Sequence, residues 1–167
     1  MKKIVSTLLT ICCSICLLFT LAACDTSNLD QDGDTSSIPS YSKNETAIYE
    51  NVHYKVTNVT YSEGEDYDTP SEGNKFVIVT LKIENKSGKT ISYNAWDWKI
   101  INSQGQIDGE AFTTIDSDTN LSSGDLANNG SKTGTLVFEV PINETSIKLY
   151  YYGNIFNDNP SFEIILL

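Results

Sequence analysis

The chain has no arginine and one histidine, His53, among its 167 residues. All 11 basic residues are lysines, against 22 Asp and Glu, which gives a formal charge of −11 at pH 7. A nucleic-acid partner needs a basic face that neutralises phosphate, so this balance argues against one. A metal site built from several imidazoles is excluded by the count. Cysteine is equally scarce. Cys12, Cys13, Cys16 and Cys24 all lie in the first 24 residues, so no disulfide can cross-link residues 25–167. Helical periodicity is missing from every later segment, and the length suits one domain of ordinary size.

What is present begins with Met1-Lys2-Lys3, a short basic start. Ile4 to Ala23 is then apolar or small with no charge, and Leu21-Ala22-Ala23-Cys24 is followed at once by Asp25. A basic start, an apolar run and small residues before a cut describe a secretory signal. The Cys at the cut resembles the lipobox of bacterial lipoproteins. That resemblance implies a diacylglyceryl group on the Cys24 thiol and cleavage by signal peptidase II between Ala23 and Cys24. Residues 1–23 are then the signal peptide. The alternative is an uncleaved transmembrane helix, since about 20 apolar residues can span a bilayer. Ser6, Thr7, Thr10, Ser14 and Thr20 weaken that alternative, and both place the remainder outside the cytoplasm. After cleavage 9 basic and 22 acidic groups remain, a charge of −13. Anionic lipid heads repel such a chain, so membrane attachment rests on the acyl chains, two or more of which are needed. The oxidising space outside holds a chain whose only Cys is acylated.

Residues 24–46 read as a lipidated flexible tether. Asp, Ser, Thr and Asn dominate, and only Leu29, Ile38 and Tyr41 are large apolar groups. Such a segment cannot bury enough apolar area to offset its chain entropy. As a random coil it averages about 25 Å end to end. Asp30, Asp32 and Asp34 around Gly33 faintly suggest a calcium loop. An EF-hand wants Gly after the third acidic residue and Glu at the twelfth position, and Thr35 and Tyr41 stand there instead. Solvated linker charge is the reading taken.

From residue 47 to residue 167 short alternating runs take over. Val52, Tyr54 and Val56 alternate with His53, Lys55 and Thr57, the spacing of a strand. The phase then slips to Val59 and Tyr61, which predicts a bulge near Asn58. Val77, Val79, Leu81 and Ile83 share one face, while Phe76 and Ile78 make the other apolar too, which predicts a central strand. Trp96, Trp98 and Ile100 share a face expected in the core. Leu136, Phe138 and Val140 alternate up to Pro141. Ile147, Leu149 and Tyr151 oppose Lys148, Tyr150 and Tyr152, the last two tyrosines being expected outward. Phe162, Ile164 and Leu166 close the chain. Turn residues separate the runs, among them Asn85-Lys86-Ser87-Gly88 and Asn128-Asn129-Gly130. Seven to eight short strands in about 120 residues predict an all-β, antiparallel β-sandwich, with a barrel as the alternative.

Three phrases carry a family resemblance. They are Gly73-Asn74-Lys75-Phe76-Val77-Ile78-Val79 leading to Asn85-Lys86-Ser87, then Trp98 through Gly105, then Gly134-Thr135-Leu136-Val137-Phe138-Glu139-Val140-Pro141. Their order resembles the domain of unknown function common in lipoproteins of Gram-positive bacteria, itself similar to an immunoglobulin-like secreted antigen of mycobacteria. The family usually carries a proline-containing turn before the third phrase; here Leu126-Ala127-Asn128-Asn129-Gly130-Ser131 stands in its place. The resemblance implies an immunoglobulin-like sandwich at the cell surface and carries over no catalytic or binding residue. Asn85 and Gly105 are expected at left-handed turn positions.

Candidate chemistry is sparse. Ser40-Tyr41-Ser42-Lys43, Ser92-Tyr93-Asn94 and Lys132-Thr133-Gly134 follow the order S-x-x-K, S-x-N, K-T-G of penicillin-binding serine acyl-transferases. That chemistry needs its Ser on a helix in a large α/β domain, and no helical period is present. His53 is the only imidazole base and falls on a strand's polar face, with no nucleophile or orienting group assigned to it. Two acidic loops, one with Glu63, Glu65, Asp66, Asp68 and Glu72 and one with Asp116, Asp118 and Asp125, offer oxygen ligands for calcium. Solvation is the preferred reading, with Glu63, Glu65, Asp66 and Asp68 as the calcium candidates. No cofactor is implied. The expectation is a lipid-anchored, non-catalytic binding or scaffolding module at the cell envelope with a protein or wall-polymer partner. Calcium binding, acyl transfer and a purely structural spacer are the alternatives.

Overall fold

The computed structural model describes residues 37–154 and 156–167. Eleven strands run in order among them: β1 (Ser40–Ser42), β2 (Thr46–Tyr49), β3 (Val52–Ser62), β4 (Asn74–Asn85), β5 (Ile91–Asn94), β6 (Trp98–Ile101), β7 (Ile107–Asp108), β8 (Ser123–Leu126), β9 (Ser131–Pro141), β10 (Lys148–Tyr151) and β11 (Phe162–Ile165). They form a four-stranded sheet β2-β3-β4-β9, a five-stranded sheet β1-β11-β10-β6-β7 and a ribbon β5-β8. The expected sandwich is present. It holds more strands than seven to eight because the sequence pattern did not mark β1, β2, β5, β7 and β8, which are two to four residues long. All pairings are antiparallel except that of β1 with β11, which is parallel. The sandwich also takes in residues ahead of 47, where the sequence places the domain's edge, through β1 and the start of β2. Ser40–Ser42 contributes mainly backbone to a sheet edge, and one ring, Tyr41, packs on the core.

Alternation explains the layers. Val52, Tyr54 and Val56 of β3, Val77, Val79, Leu81 and Ile83 of β4, and Leu136, Phe138 and Val140 of β9 meet Trp98, Ile100, Leu149, Tyr151, Phe162 and Ile164 of the other sheet in one core. The β3–β4 register shifts between Val56 and Asn58, the slip expected from the sequence. β4 lies between β3 and β9, and its second apolar face is used as well. Phe76 and Ile78 form a small outer cluster with Val137, covered by Ala111 and Ile115. The Ala111 N–H donates to the Val137 carbonyl at 2.7 Å, fixing the 109–116 segment across the outside of this sheet.

Three expectations need correction. Trp96 is 67% exposed. A 3-10 turn at Ala95–Asp97, capped by the Asn94 side chain accepting from the Trp96 N–H, interrupts the alternation and turns the indole outward. Tyr152 is buried rather than outward, because its N–H donates to the Asp97 carbonyl and its ring lies beneath the Lys99 ammonium. Asn85 is an extended strand residue paired with Val52, not a left-handed turn residue. Its Nδ2 donates to the carbonyls of Lys89 (2.7 Å) and Leu126 (2.9 Å), and its Oδ1 accepts from the Ser87 N–H and hydroxyl. The positive φ of that turn falls instead on Gly88, at 82°, and Asn129 takes a φ of 64° in the Asn128-Asn129-Gly130 turn. Gly105 is left-handed as expected, at φ 79°.

Gly134 is fixed by a close approach. The Leu121 backbone crosses it, with the Leu121 N–H donating to the Thr135 carbonyl at 2.9 Å, and a Cβ added at Gly134 would lie 2.5 Å from Leu121 Cα. Gly134→Ala is expected to lower stability by about 1–3 kcal/mol in urea unfolding. An unchanged midpoint would show that the Leu121 segment yields freely.

Candidate functional site

The two loop ends of the sandwich differ. At one, the 63–73 loop leaves β3 and returns to β4. Reciprocal backbone bonds between Glu65 and Asp68 (2.9 and 2.8 Å) fold it into a small hairpin with Asp66 and Tyr67 at the tip. Tyr67 is fully exposed. Beside it runs the segment anchored on Val137, where Phe112 is fully exposed too. Asp68 ties the two together. Its Oδ2 accepts from the Thr113 hydroxyl (2.8 Å), the Thr114 N–H (2.6 Å) and the Thr114 hydroxyl (2.6 Å). These bonds, the Thr114 hydroxyl first, hold the Asp68 carboxyl below its ordinary range. Between the loops lies an open cleft of about 940 Å³, lined by Glu65 to Thr69 and Phe112 to Thr114. The same end is braced by Glu144, whose Oε1 accepts from the N–H groups of Ser103, Thr145 and Ser146. Hydrogen bonding, Ser103 foremost, brings that carboxyl down to about 2.

The opposite end carries a smaller cleft of about 320 Å³, lined among others by Tyr49, Glu50, Tyr54, Lys89 and Tyr151. The Tyr54 hydroxyl donates to that of Tyr151 at 2.9 Å. Burial raises both phenols, Tyr151 to about 12, so both stay neutral over the physiological range. Such a pair can hydrogen-bond a polar group but supplies no base or nucleophile near neutral pH.

The residues singled out from the sequence do not assemble into one site. Ser40 lies on β1 and donates to Glu163 Oε1 at 2.9 Å, Ser92 lies on β5 and donates to Asp125 at 2.7 Å, and Lys132 lies on β9. They occupy three different sheets, and Ser40 sits on no helix, so the acyl-transferase order has no structural counterpart. His53 is half-buried in β3, in register with Glu84 and Ile48. Of the calcium candidates Glu63, Glu65, Asp66 and Asp68, Asp68 is engaged by Thr113 and Thr114, and among the described residues no three Asp, Glu, His or Cys side chains come together as a metal-holding group. Ala23, Cys24, Asp30, Asp32 and Asp34 lie outside the described residues. Among those described, no helix is long and apolar enough to cross a membrane. Sequence reasoning missed the Tyr67–Phe112 cleft. Its one available signal was Asp68 in an acidic loop, and nothing in the sequence ties that residue to Thr113 and Thr114, 45 and 46 positions away.

The profile of a domain of unknown function, DUF4352, matches residues 41–161. The chain belongs to the DUF4352 family. The match runs from within β1 to the residue before β11 and so covers every other strand of the sandwich. No curated protein matches the chain in sequence. Solved structures of similar fold include two from Bacillus subtilis. The yjhA protein from Bacillus subtilis is 18% identical with a TM-score of 0.58, over 76% of this chain and 99% of that one. A candidate lipoprotein, ycdA, also from Bacillus subtilis, is 18% identical with a TM-score of 0.58, over 72% of this chain and 38% of that one. This chain thus spans little more than a third of ycdA. At such identity the likeness establishes the fold of the DUF4352 domain alone.

Proposed function

We propose that this protein is a lipid-anchored module on the outer side of the cell membrane, acting by binding or scaffolding and without catalysis. The observation that carries the binding role is a pair of fully exposed aromatic side chains, Tyr67 and Phe112, on loops that Asp68 fastens to each other. Exposed aromatics on pinned loops cost solubility, and they suit contact surfaces. The anchor rests on Leu21-Ala22-Ala23-Cys24 followed by Asp25, and a candidate lipoprotein among the structures of like fold agrees with it. The non-catalytic reading is supported by the dispersal of Ser40, Ser92, Lys132 and His53 over separate strands.

The test has two readouts. Mass spectrometry of the native protein should show a diacylglyceryl group on Cys24 as the first residue, and Cys24→Ser should move the protein out of the membrane fraction. An unmodified thiol, or a cytosolic location, would remove the anchor. Crosslinking on intact cells should enrich a specific partner, and a background identical to that of a lipidated control domain would leave only the spacer.

A further inference from the structure

We propose that the cleft between Tyr67 and Phe112 docks a lysine- or arginine-bearing segment of a partner protein. This deepens the binding-module reading and rests on it. The first argument is charge. No lysine lies between Lys55 and Lys75 or between Lys99 and Lys132, and the cleft is built from those two stretches alone. The cleft wall itself carries Glu65, Asp66 and Asp68, with Glu63 and Glu72 on the same loop and Glu110 and Asp116 on the segment that holds Phe112. An anionic partner is repelled there, and a cationic one is attracted.

The second argument is the chemistry of the rings. The face of a tyrosine or phenylalanine attracts an ammonium or guanidinium group. The chain itself shows this twice. Lys75 Nζ sits 4.6 Å from the Tyr61 ring centre, and Lys99 Nζ sits 4.8 Å from that of Tyr152. Tyr67 and Phe112 are the two most exposed large hydrophobic residues described, and the stretches that hold them supply no cation of their own. Glu65 and Asp66 beside Tyr67 provide the carboxylates that a bound cation would pair with.

The third argument selects a peptide over a free amine. Small-molecule sites enclose most of their ligand. This cleft is open, and its rings stand clear of the surface on two separate loops. A segment lying across both loops can place one cationic side chain between the rings and an apolar neighbour against each. Because Asp68 has already joined the loops, little ordering cost remains on binding.

The probe is a fluorescein-labelled peptide of alternating Lys and Leu, with a Glu/Leu counterpart, titrated against the full-length protein in a non-ionic detergent. The Lys peptide should bind at least about tenfold more tightly than the Glu peptide and weaken as salt rises. Tyr67→Ala with Phe112→Ala should weaken it by about fivefold to tenfold, whereas Trp96→Ala, which removes an exposed ring elsewhere, should leave it unchanged. Both ring variants alter fully exposed side chains, so the thermal midpoint should stay at the wild-type value. Equal binding of the Lys peptide to wild type and the double variant would show attraction to net charge alone and overturn the proposal, as would absence of binding. In cells, a partner captured equally by the double variant would sink the cleft while sparing the module. Failure of the wild type to capture any partner would sink both.

Discussion

Replacing Asn85 by alanine should destabilise the domain by about 2–4 kcal/mol, seen as a thermal midpoint lower by roughly 10 °C. The side chain is fully buried at the end of β4 and bridges two loops. It satisfies the Lys89 and Leu126 carbonyls and receives the Ser87 N–H and hydroxyl, with all four distances between 2.7 and 3.0 Å. Alanine leaves the Leu126 carbonyl unpaired in a dry place, and an orphaned buried acceptor costs more than an ordinary hydrogen bond contributes. Leu126 ends β8, and Lys89 leads into β5, so the damage should concentrate in that ribbon. Hydrogen exchange should accelerate in β5 and β8 before it does in β3 and β4. Asn85→Asp keeps the acceptor for Ser87 but loses both donors and buries a charge, so it should be at least as harmful. A loss under about 1 kcal/mol would mean that the backbone bonds of Asn85 to Gly130 and Asn129 (2.9 and 2.8 Å) hold the loops unaided.

Truncating Trp98 to alanine should cost about 3–5 kcal/mol, the range for emptying a large buried aromatic site. Trp98 is 1% exposed and sits at the centre of a ring cluster. Ring centres of Tyr151, Tyr54 and Phe162 lie 4.7, 5.5 and 5.9 Å away in tilted and edge-on arrangements. Those neighbours come from both sheets, so the cavity would open at the seam between them. It would also loosen the Tyr54–Tyr151 hydroxyl pair, which depends on both rings being held. Near-ultraviolet circular dichroism should lose most of its aromatic signal. Fluorescence separates the two tryptophans. Removing Trp98 should leave the red-shifted emission of exposed Trp96, and removing Trp96 should leave a blue-shifted band at near wild-type stability. Equal stability losses for the two would contradict the placement of Trp96 on the surface.

The sandwich was legible in the sequence wherever a strand was long enough to alternate. The faces of β3, β4, β9, β10 and β11, and the slip at Asn58, all follow from a period of two. Two-residue and three-residue strands have no period to read, and β1 is recruited by backbone pairing with β11. Trp96 shows a different failure. A single 3-10 turn inserted between Asn94 and Trp98 resets the phase, and neighbouring residues that seem to share a face do not. Asn85 has the residue type of a left-handed turn, but its side-chain amide makes the same identity the right choice for a buried pin. The candidate site was least legible, since it depends on one carboxylate meeting two threonines across 45 residues of chain.

The pairing of β1 with β11 has a mechanical consequence. The chain enters the sandwich at β1 from the end that holds Tyr49 and Tyr151, and the Tyr67 loop stands at the far end, where the Ile142 N–H meets the Gly73 carbonyl. A pull between the proposed lipid on Cys24 and the proposed partner at Tyr67 would therefore run along the strands. Under that load the parallel contacts of Ser40, Tyr41 and Ser42 with Glu163, Ile164 and Ile165 are sheared together rather than peeled one by one. Pulled between attachment points at residues 24 and 67 in a force spectrometer, β1 should act as a latch, resisting until it lets go in one step.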